Sequence, residues 1–171
     1  MEIILCDRTL VPAIRAILND AIVNSTAVWD YRPRSAETMN DWFVQKQHQG
    51  LPVIGLVDGE TLLGFATYGP FRGWPAYKYT VEHSLYVDSR FRRRGFGRRL
   101  LEAIVKDAQA RDYHALIGGI ASDNSASLKL HEQAGFVPCG TIREAGYKFD
   151  RWLDLTFVQR LLDTPAVPHG D

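Results

Sequence analysis

Apolar residues recur at Ile14, Ile17, Leu18, Ala21 and Ile22. Their three-and-four spacing predicts an amphipathic helix over Leu10 to Asn24, with Pro12 tolerated in its first turn. Ahead of it, Ile3 to Cys6 predicts a short strand. Ser35 is placed to cap a second helix running to about Gln49, where Gly50-Leu51-Pro52 stops it. Two apolar runs, Val53 to Val57 and Leu62 to Tyr68, are joined by Asp58-Gly59 and predict a β-hairpin. A loop over Gly69 to Tyr77 leads into a strand over Lys78 to Val87. Gly95 to Arg111 predicts a helix with Leu100, Leu101, Ile104, Val105 and Ala108 on one face. Ala115 to Ile120 reads as a buried strand. Asn124 to Ala134 predicts a helix ended by Gly135. Phe136 to Ile142 and Trp152 to Val158 are the closing strands. The order is β, two helices, a β-meander, then β-α-β-α-β-β, which implies an α/β sheet of mixed direction.

Composition narrows the class. The 171 residues fit one domain, and 46% apolar with 23% charged residues can build a core without disulfide or metal. The domain is expected over 1–163, with a Pro/Gly-rich flexible tail over 164–171. The 20 basic and 20 acidic residues cancel, so no global field favours nucleic acid or an anionic membrane. No apolar stretch approaches the length of a bilayer span, and MEIILCDRTL lacks the basic start and cleavage site of a signal peptide. A cytoplasmic location is expected. Cys6 and Cys139 match no redox or metal spacing and read as reduced thiols. No metal is expected, because no His/Cys/Asp/Glu cluster has ligand spacing.

The informative stretch is HSLYVDSRFRRRGFGRRLLEAIV, His83 to Val105. A strand ends near Val87, a basic loop follows, and a helix starts around Gly95. Arg92-Arg93-Arg94-Gly95-Phe96-Gly97 gives Arg-x-x-Gly-x-Gly. The glycines let the backbone approach a phosphate, the first-turn N–H groups are unpaired, and the helix dipole adds partial positive charge. Arginines add charge-assisted hydrogen bonds. A Rossmann fingerprint and a Walker A loop are both absent. A basic surface loop with a glycine turn would share this spacing, and nucleic acid would find only a small footprint in it.

This arrangement resembles the pyrophosphate-binding motif of the GNAT acetyltransferases. Asn124-Ser-Ala-Ser-Leu-Lys-Leu-His131-Glu-Gln-Ala-Gly135-Phe136 resembles the second half of that family's signature, Asn-x-x-Ala-x-x-Leu-Tyr-x-x-x-Gly-Phe. Tyr79 to Val87, Leu130 to Phe136, Gly146 to Gln159 and Ser25 to Pro33 are similar to the phosphinothricin and methionine sulfone or sulfoximine acetyltransferases. The resemblance covers about residues 2 to 160. It implies a GNAT fold: a mixed central sheet of six or seven strands, helices on both faces, and a splayed parallel strand pair that binds acetyl-CoA.

It also implies roles. Pantetheine would pair with backbone groups of Leu85, Tyr86 and Val87, freed where the strand Lys78 to Val87 leaves Ala115 to Ile120. The pyrophosphate would sit on the loop formed by Arg92, Arg93, Arg94, Gly95, Phe96, Gly97 and Arg98. Asn124 would bond the pantetheine arm, and an N–H near Val87 would polarise the thioester carbonyl. Glu82 is the candidate general base for the attacking amine, directly or through water; position alone equally allows a surface charge. His131 stands where many relatives have Tyr. It is a candidate acid for the departing thiolate, or a satisfied structural histidine. Arg72 could clamp an α-carboxylate, with Trp74, Pro75, Ala76 and Tyr77 on the same loop and Trp29 as further candidate wall. Tyr147, Lys148 and Arg151 would add to this wall or build a homodimer face.

The expected activity is direct transfer of acetyl from acetyl-CoA to the α-amine of a small amino acid or analogue, without metal. The rival readings are acetylation of a protein N-terminus, polyamine or aminoglycoside, and a non-catalytic CoA-binding module.

Overall fold

The structure, a computed structural model, describes residues 1–170. Seven strands form one sheet: β1 (Glu2–Leu5), β2 (Val53–Asp58), β3 (Thr61–Pro70), β4 (Thr80–Val87), β5 (Ala115–Ala121), β6 (Val137–Lys148) and β7 (Arg151–Leu161). Their spatial order is β1-β2-β3-β4-β5-β7-β6. Among the described residues the α-helices are α1 (Val11–Asn24), α2 (Ala36–His48), α3 (Phe96–Ala110) and α4 (Ser125–Gln133). None of the described helices is long and apolar enough to cross a membrane.

Two apolar clusters sandwich the sheet. On one face Val11, Ile14, Ile17 and Ile22 of α1, with Met39 and Phe43 of α2, cover Val53, Leu62 and Phe65. On the other, Leu100, Leu101, Ile104 and Val105 of α3 cover Ile54, Leu56, Leu63, Leu116 and Val158. With both faces covered, β2 and β3 are almost wholly buried, which explains their unbroken apolar runs. Leu100 and Ile104 are fully buried, and truncating either to alanine costs about 2–5 kcal/mol.

The closing hairpin is longer than the sequence pattern predicts. Its two arms run from Val137 to Leu161 around a turn at Phe149-Asp150, where both residues adopt positive φ, 53° and 55°. That is the backbone of a tight hairpin turn normally written with Asn and Gly, so the usual signal is missing. Similarly, the strand expected from Lys78 begins at Thr80, because Pro75–Tyr77 form a 3-10 turn that Lys78 closes. The tail keeps contacts with the domain. Thr164 Oγ1 donates to the Tyr113 carbonyl at 2.6 Å, and Tyr79 Oη donates to the His169 carbonyl at 3.2 Å.

The feature that positions the site is the β4–β5 pair, the parallel one in the sheet. Its register runs from Thr80↔Ala115 to His83↔Gly118 and stops. Beyond it, β4 stays paired with β3 as far as Val87, and β5 stays paired with β7 as far as Ala121. The two strands therefore fork after His83.

Candidate active site

A cleft of about 400 Å³ opens at this fork, lined among others by Glu82, Leu85, Tyr86, Asn124, His131 and Trp29. Strand alternation sorts the residues of β4. Backbone groups of even-numbered residues face β3: Thr80 O accepts from Phe71 N, and Asp88 N donates to Leu63 O. Leu85 and Val87 therefore turn their N–H and C=O into the fork, whereas Tyr86 turns its own towards β3. This corrects the expectation that Tyr86 offers freed backbone. Its ring lines the cleft instead, packed against Phe65 at 5.3 Å between centroids.

The Arg-x-x-Gly-x-Gly loop caps one end of the fork. Gly95 is the N-cap of α3 with φ 79°, and Arg93 also adopts positive φ, 61°. The N–H groups of Phe96, Gly97 and Arg98 have no intrahelical partner and point outward as an anion cradle. A Cβ on Gly97 would lie 3.1 Å from Leu130 Cδ2, so glycine is what lets α3 approach α4. The arginines divide. Arg92 donates to Val87 O at 3.3 Å and reaches Asp20 at 3.6 Å, which ties the loop to α1. Arg98 pairs with Glu102 at 2.8 Å. Arg94 lies over the Phe91 ring at 5.6 Å, and both Arg93 and Arg94 are exposed. The side chain of Phe96 is buried in the core, so it can offer the cradle only its N–H.

Asn124 caps α4: its Oδ1 accepts from Ser127 N at 3.1 Å. The Asn124 amide NH₂ remains on the cleft side as a donor.

Glu82 and His83 project to opposite faces, each into room left by a glycine of β5. An added Cβ at Gly119 would lie 3.1 Å from Glu82 Oε1, and one at Gly118 would lie 2.9 Å from His83 Cε1. The pair Gly118-Gly119 in a buried apolar strand was the available sequence signal, since glycine inside a strand marks a close approach. Burial raises the Glu82 carboxyl above its ordinary value, partly offset by the nearby Arg72 guanidinium.

His83, on the face opposite Glu82, meets His131 at the base of the fork. It is buried, and its Nε2 lies 2.9 Å from Nε2 of His131. His131 Nδ1 lies 2.7 Å from the Ser127 carbonyl. A carbonyl only accepts, so His131 carries its proton on Nδ1 and presents a lone pair to His83 Nε2–H. His83 Nδ1 is left buried without a partner among the described residues. Burial, then the neighbouring His131, pushes His83 down to about 3, and burial also lowers His131. Both rings are neutral at neutral pH. With its one N–H committed to Ser127, His131 has the bonding of a satisfied structural histidine, not of an acid aimed at sulfur.

The loop 71–77 lies outside the cleft lining. Arg72 stacks on Phe71 at 4.3 Å and donates to the Phe71 carbonyl at 3.0 Å. Trp74 is 76% exposed, Pro75 and Ala76 are exposed, and Tyr77 packs edge-on to Phe71. The wall is built instead by Thr26, Ala27, Trp29 and Lys46. Lys148 holds it there. Its ammonium is buried and donates to the carbonyls of Ile22, Ser25 and Val28, the last at 2.6 Å. This closes the C-terminus of α1 and fixes the turn that presents Trp29, whose Nε1 donates to Thr26 O at 2.9 Å. Gly146 clears the ring, since a Cβ there would lie 2.4 Å from Trp29 Cε3.

With this geometry in place, residues 14–136 match the Acetyltransferase (GNAT) family. The chain belongs to the GNAT family. It is 42% identical over 154 residues to an L-methionine sulfoximine/L-methionine sulfone acetyltransferase of Pseudomonas paraeruginosa, covering 89% of each chain. It is 33% identical over 156 residues to a phosphinothricin N-acetyltransferase of Streptomyces viridochromogenes, covering 91% of this chain and 85% of that one. A crystal structure of a GNAT phosphinothricin acetyltransferase from Sinorhizobium meliloti with acetyl-CoA superposes with a TM-score of 0.93. The two are 27% identical, over 99% of this chain and 93% of that one. The fork, the Arg-x-x-Gly-x-Gly loop and Glu82 all lie within the matched residues 14–136.

Proposed function

We propose that the protein is a cytoplasmic enzyme acetylating the α-amine of a small amino acid or analogue. Phosphinothricin, methionine sulfoximine and methionine sulfone are the acceptors named by its relatives. The observation that carries this reading is the Glu82 carboxylate. It is half-buried above bare Gly119 at the point where β4 leaves β5.

Acetyl-CoA supplies an activated acyl group as a thioester. The first-turn N–H groups of α3, with Arg93 and Arg94, hold its diphosphate. Val87 and the Asn124 amide pair with the pantetheine arm, and Leu85 N–H, the freed donor of β4 nearer Glu82, polarises the acyl oxygen. Attack needs a neutral amine, so Glu82 takes the ammonium proton, directly or through a water. The raised carboxyl of Glu82 suits it to this exchange. His83 and His131 fill the base of the fork and act by positioning its strands. Transfer is direct, in a ternary complex: the amine nitrogen bonds to the acyl carbon, the carbon–sulfur bond breaks, and coenzyme A departs as its thiolate, to be neutralised by the proton that the nitrogen released. The exposed apolar side chains of the closing hairpin, Val137, Ile142, Tyr147 and Trp152, support a homodimer face.

The test is thiol release from acetyl-CoA across ordinary amino acids, the three analogues, polyamines and aminoglycosides. At least about tenfold higher kcat/KM for the analogues than for ordinary amino acids is expected, a margin that one or two well-placed polar contacts supply. A preference for the cationic amines would overturn the reading. So would coenzyme binding without turnover of any acceptor, which would mark a binding module.

A further inference from the structure

Glu82 stands between two glycines on the acceptor face of the sheet. Gly119 makes room for its carboxylate on the β5 side. On the β3 side its register partner is Gly69. A Cβ at Gly69 would lie 3.4 Å from Lys46 Nζ, so the ammonium stands in contact distance of the bare position opposite Glu82. Register partners hold their Cβ atoms about 4.5–5.5 Å apart, so Lys46 Nζ and the Glu82 carboxylate flank a gap on the order of 8–10 Å. Both line the same cleft.

Lys46 is built to face an anion. Its Nζ donates to the Tyr68 carbonyl at 2.6 Å, and its position beside the Trp42 ring, at 5.9 Å, fixes the stem. An ammonium has three hydrogens, which leaves two for the cleft. Among the described residues no ion pair involves Lys46. A half-buried cation without a carboxylate is costly, and burial lowers Lys46 to about 8. It is still mostly charged at neutral pH.

The geometry points to Lys46 as the receptor for the α-carboxylate of the acceptor, held opposite Glu82 so that the amine on the same carbon faces the base. Two hydrogen bonds of about 2.8–3.0 Å each, plus the width of an amino-acid head group, span a gap of this order. The inference rests on the amino-acid reading above. It moves the carboxylate contact from Arg72, which stacks on Phe71 outside the cleft lining, to Lys46.

The test compares methionine sulfone with its α-carboxamide in the wild type and in Lys46→Met. The wild type should favour the acid by at least tenfold in kcat/KM. In Lys46→Met the acid should lose at least tenfold, through KM, while the amide changes less than threefold and the KM for acetyl-CoA holds. Lys46→Arg should retain the preference. Should Lys46→Met prove unstable, Lys46→Gln gives the same comparison and keeps a donor to Tyr68. An unchanged acid-to-amide ratio, or equal loss on both acceptors, overturns the assignment while the amino-acid reading stands. If the wild type acetylates neither compound, that reading itself falls and takes the Lys46 assignment with it.

Discussion

Gly118→Ala places a methyl against the imidazole that fills the base of the fork. The new Cβ would sit 2.9 Å from His83 Cε1 and 3.1 Å from Val158 Cγ2, where carbon–carbon contacts settle at about 3.5–4.0 Å. The ring cannot retreat. It is held by His131 on one edge and packs on Phe136, centroids 5.2 Å apart. Overpacking of this kind costs about 1–3 kcal/mol, and in a chain of this length each kcal/mol lowers Tm by roughly 2–4 °C. His83→Ala removes the obstacle but opens a cavity and strips His131 of its donor, at about 2–4 kcal/mol. In the His83→Ala background the two contacts with the imidazole are gone and only the one with Val158 remains, so the methyl at 118 costs less. A double-mutant cycle by urea unfolding should therefore show a favourable coupling of about 1–2 kcal/mol. Gly118→Ala alone should also raise the KM for acetyl-CoA, because the strands that hold pantetheine diverge from this point. Additivity within about 0.5 kcal/mol would refute the argument that Gly118 exists to admit His83.

Glu82 and Lys148 give three further outcomes. Glu82→Gln should lower kcat at least about a hundredfold while leaving acetyl-CoA binding intact by calorimetry. In the wild type, kcat/KM should fall as pH drops through the raised Glu82 pKa, since only the carboxylate accepts a proton; an acid limb surviving in Glu82→Gln would assign it elsewhere. Lys148→Met should cost about 1–3 kcal/mol by leaving buried carbonyls unsatisfied. It should raise the acceptor KM more than the acetyl-CoA KM, and steady-state kinetics with both substrates varied would show the reverse if the wall were held by other contacts.

The sequence made the coenzyme half of the site readable and the acceptor half much less so. Arg92 to Arg98 and Asn124 to Phe136 are contiguous, and their chemistry lies in backbone turns that local spacing encodes. Glu82 was reachable for a related reason, by counting along the strand that feeds the loop. Lys46, Lys148 and the His83–His131 pair were not, because each acts on a partner brought near by topology alone. Lys46 meets Tyr68 from a helix whose pattern reveals only its buried face. His83 reads as the unremarkable face opposite Glu82 until α4 lays His131 against it. The substrate loop erred in the other direction. Phe71 to Tyr77 suggest a pocket wall because aromatic residues crowd beside β4, yet Tyr77 and Arg72 pack on Phe71 outside the cleft lining and Trp74 is exposed.

The grip of Lys148 on the carbonyls of Ile22, Ser25 and Val28 spans 126, 123 and 120 positions of a 171-residue chain. Contacts of such separation form late, after shorter loops have closed. As the chain emerges, the diphosphate cradle, which is local, can be shaped while the final hairpin is still unmade, but the enclosure around the amine cannot. A nascent or C-terminally clipped molecule would thus lack the seat for the acceptor and, without β7 to hold β5, the fork beside the cradle as well.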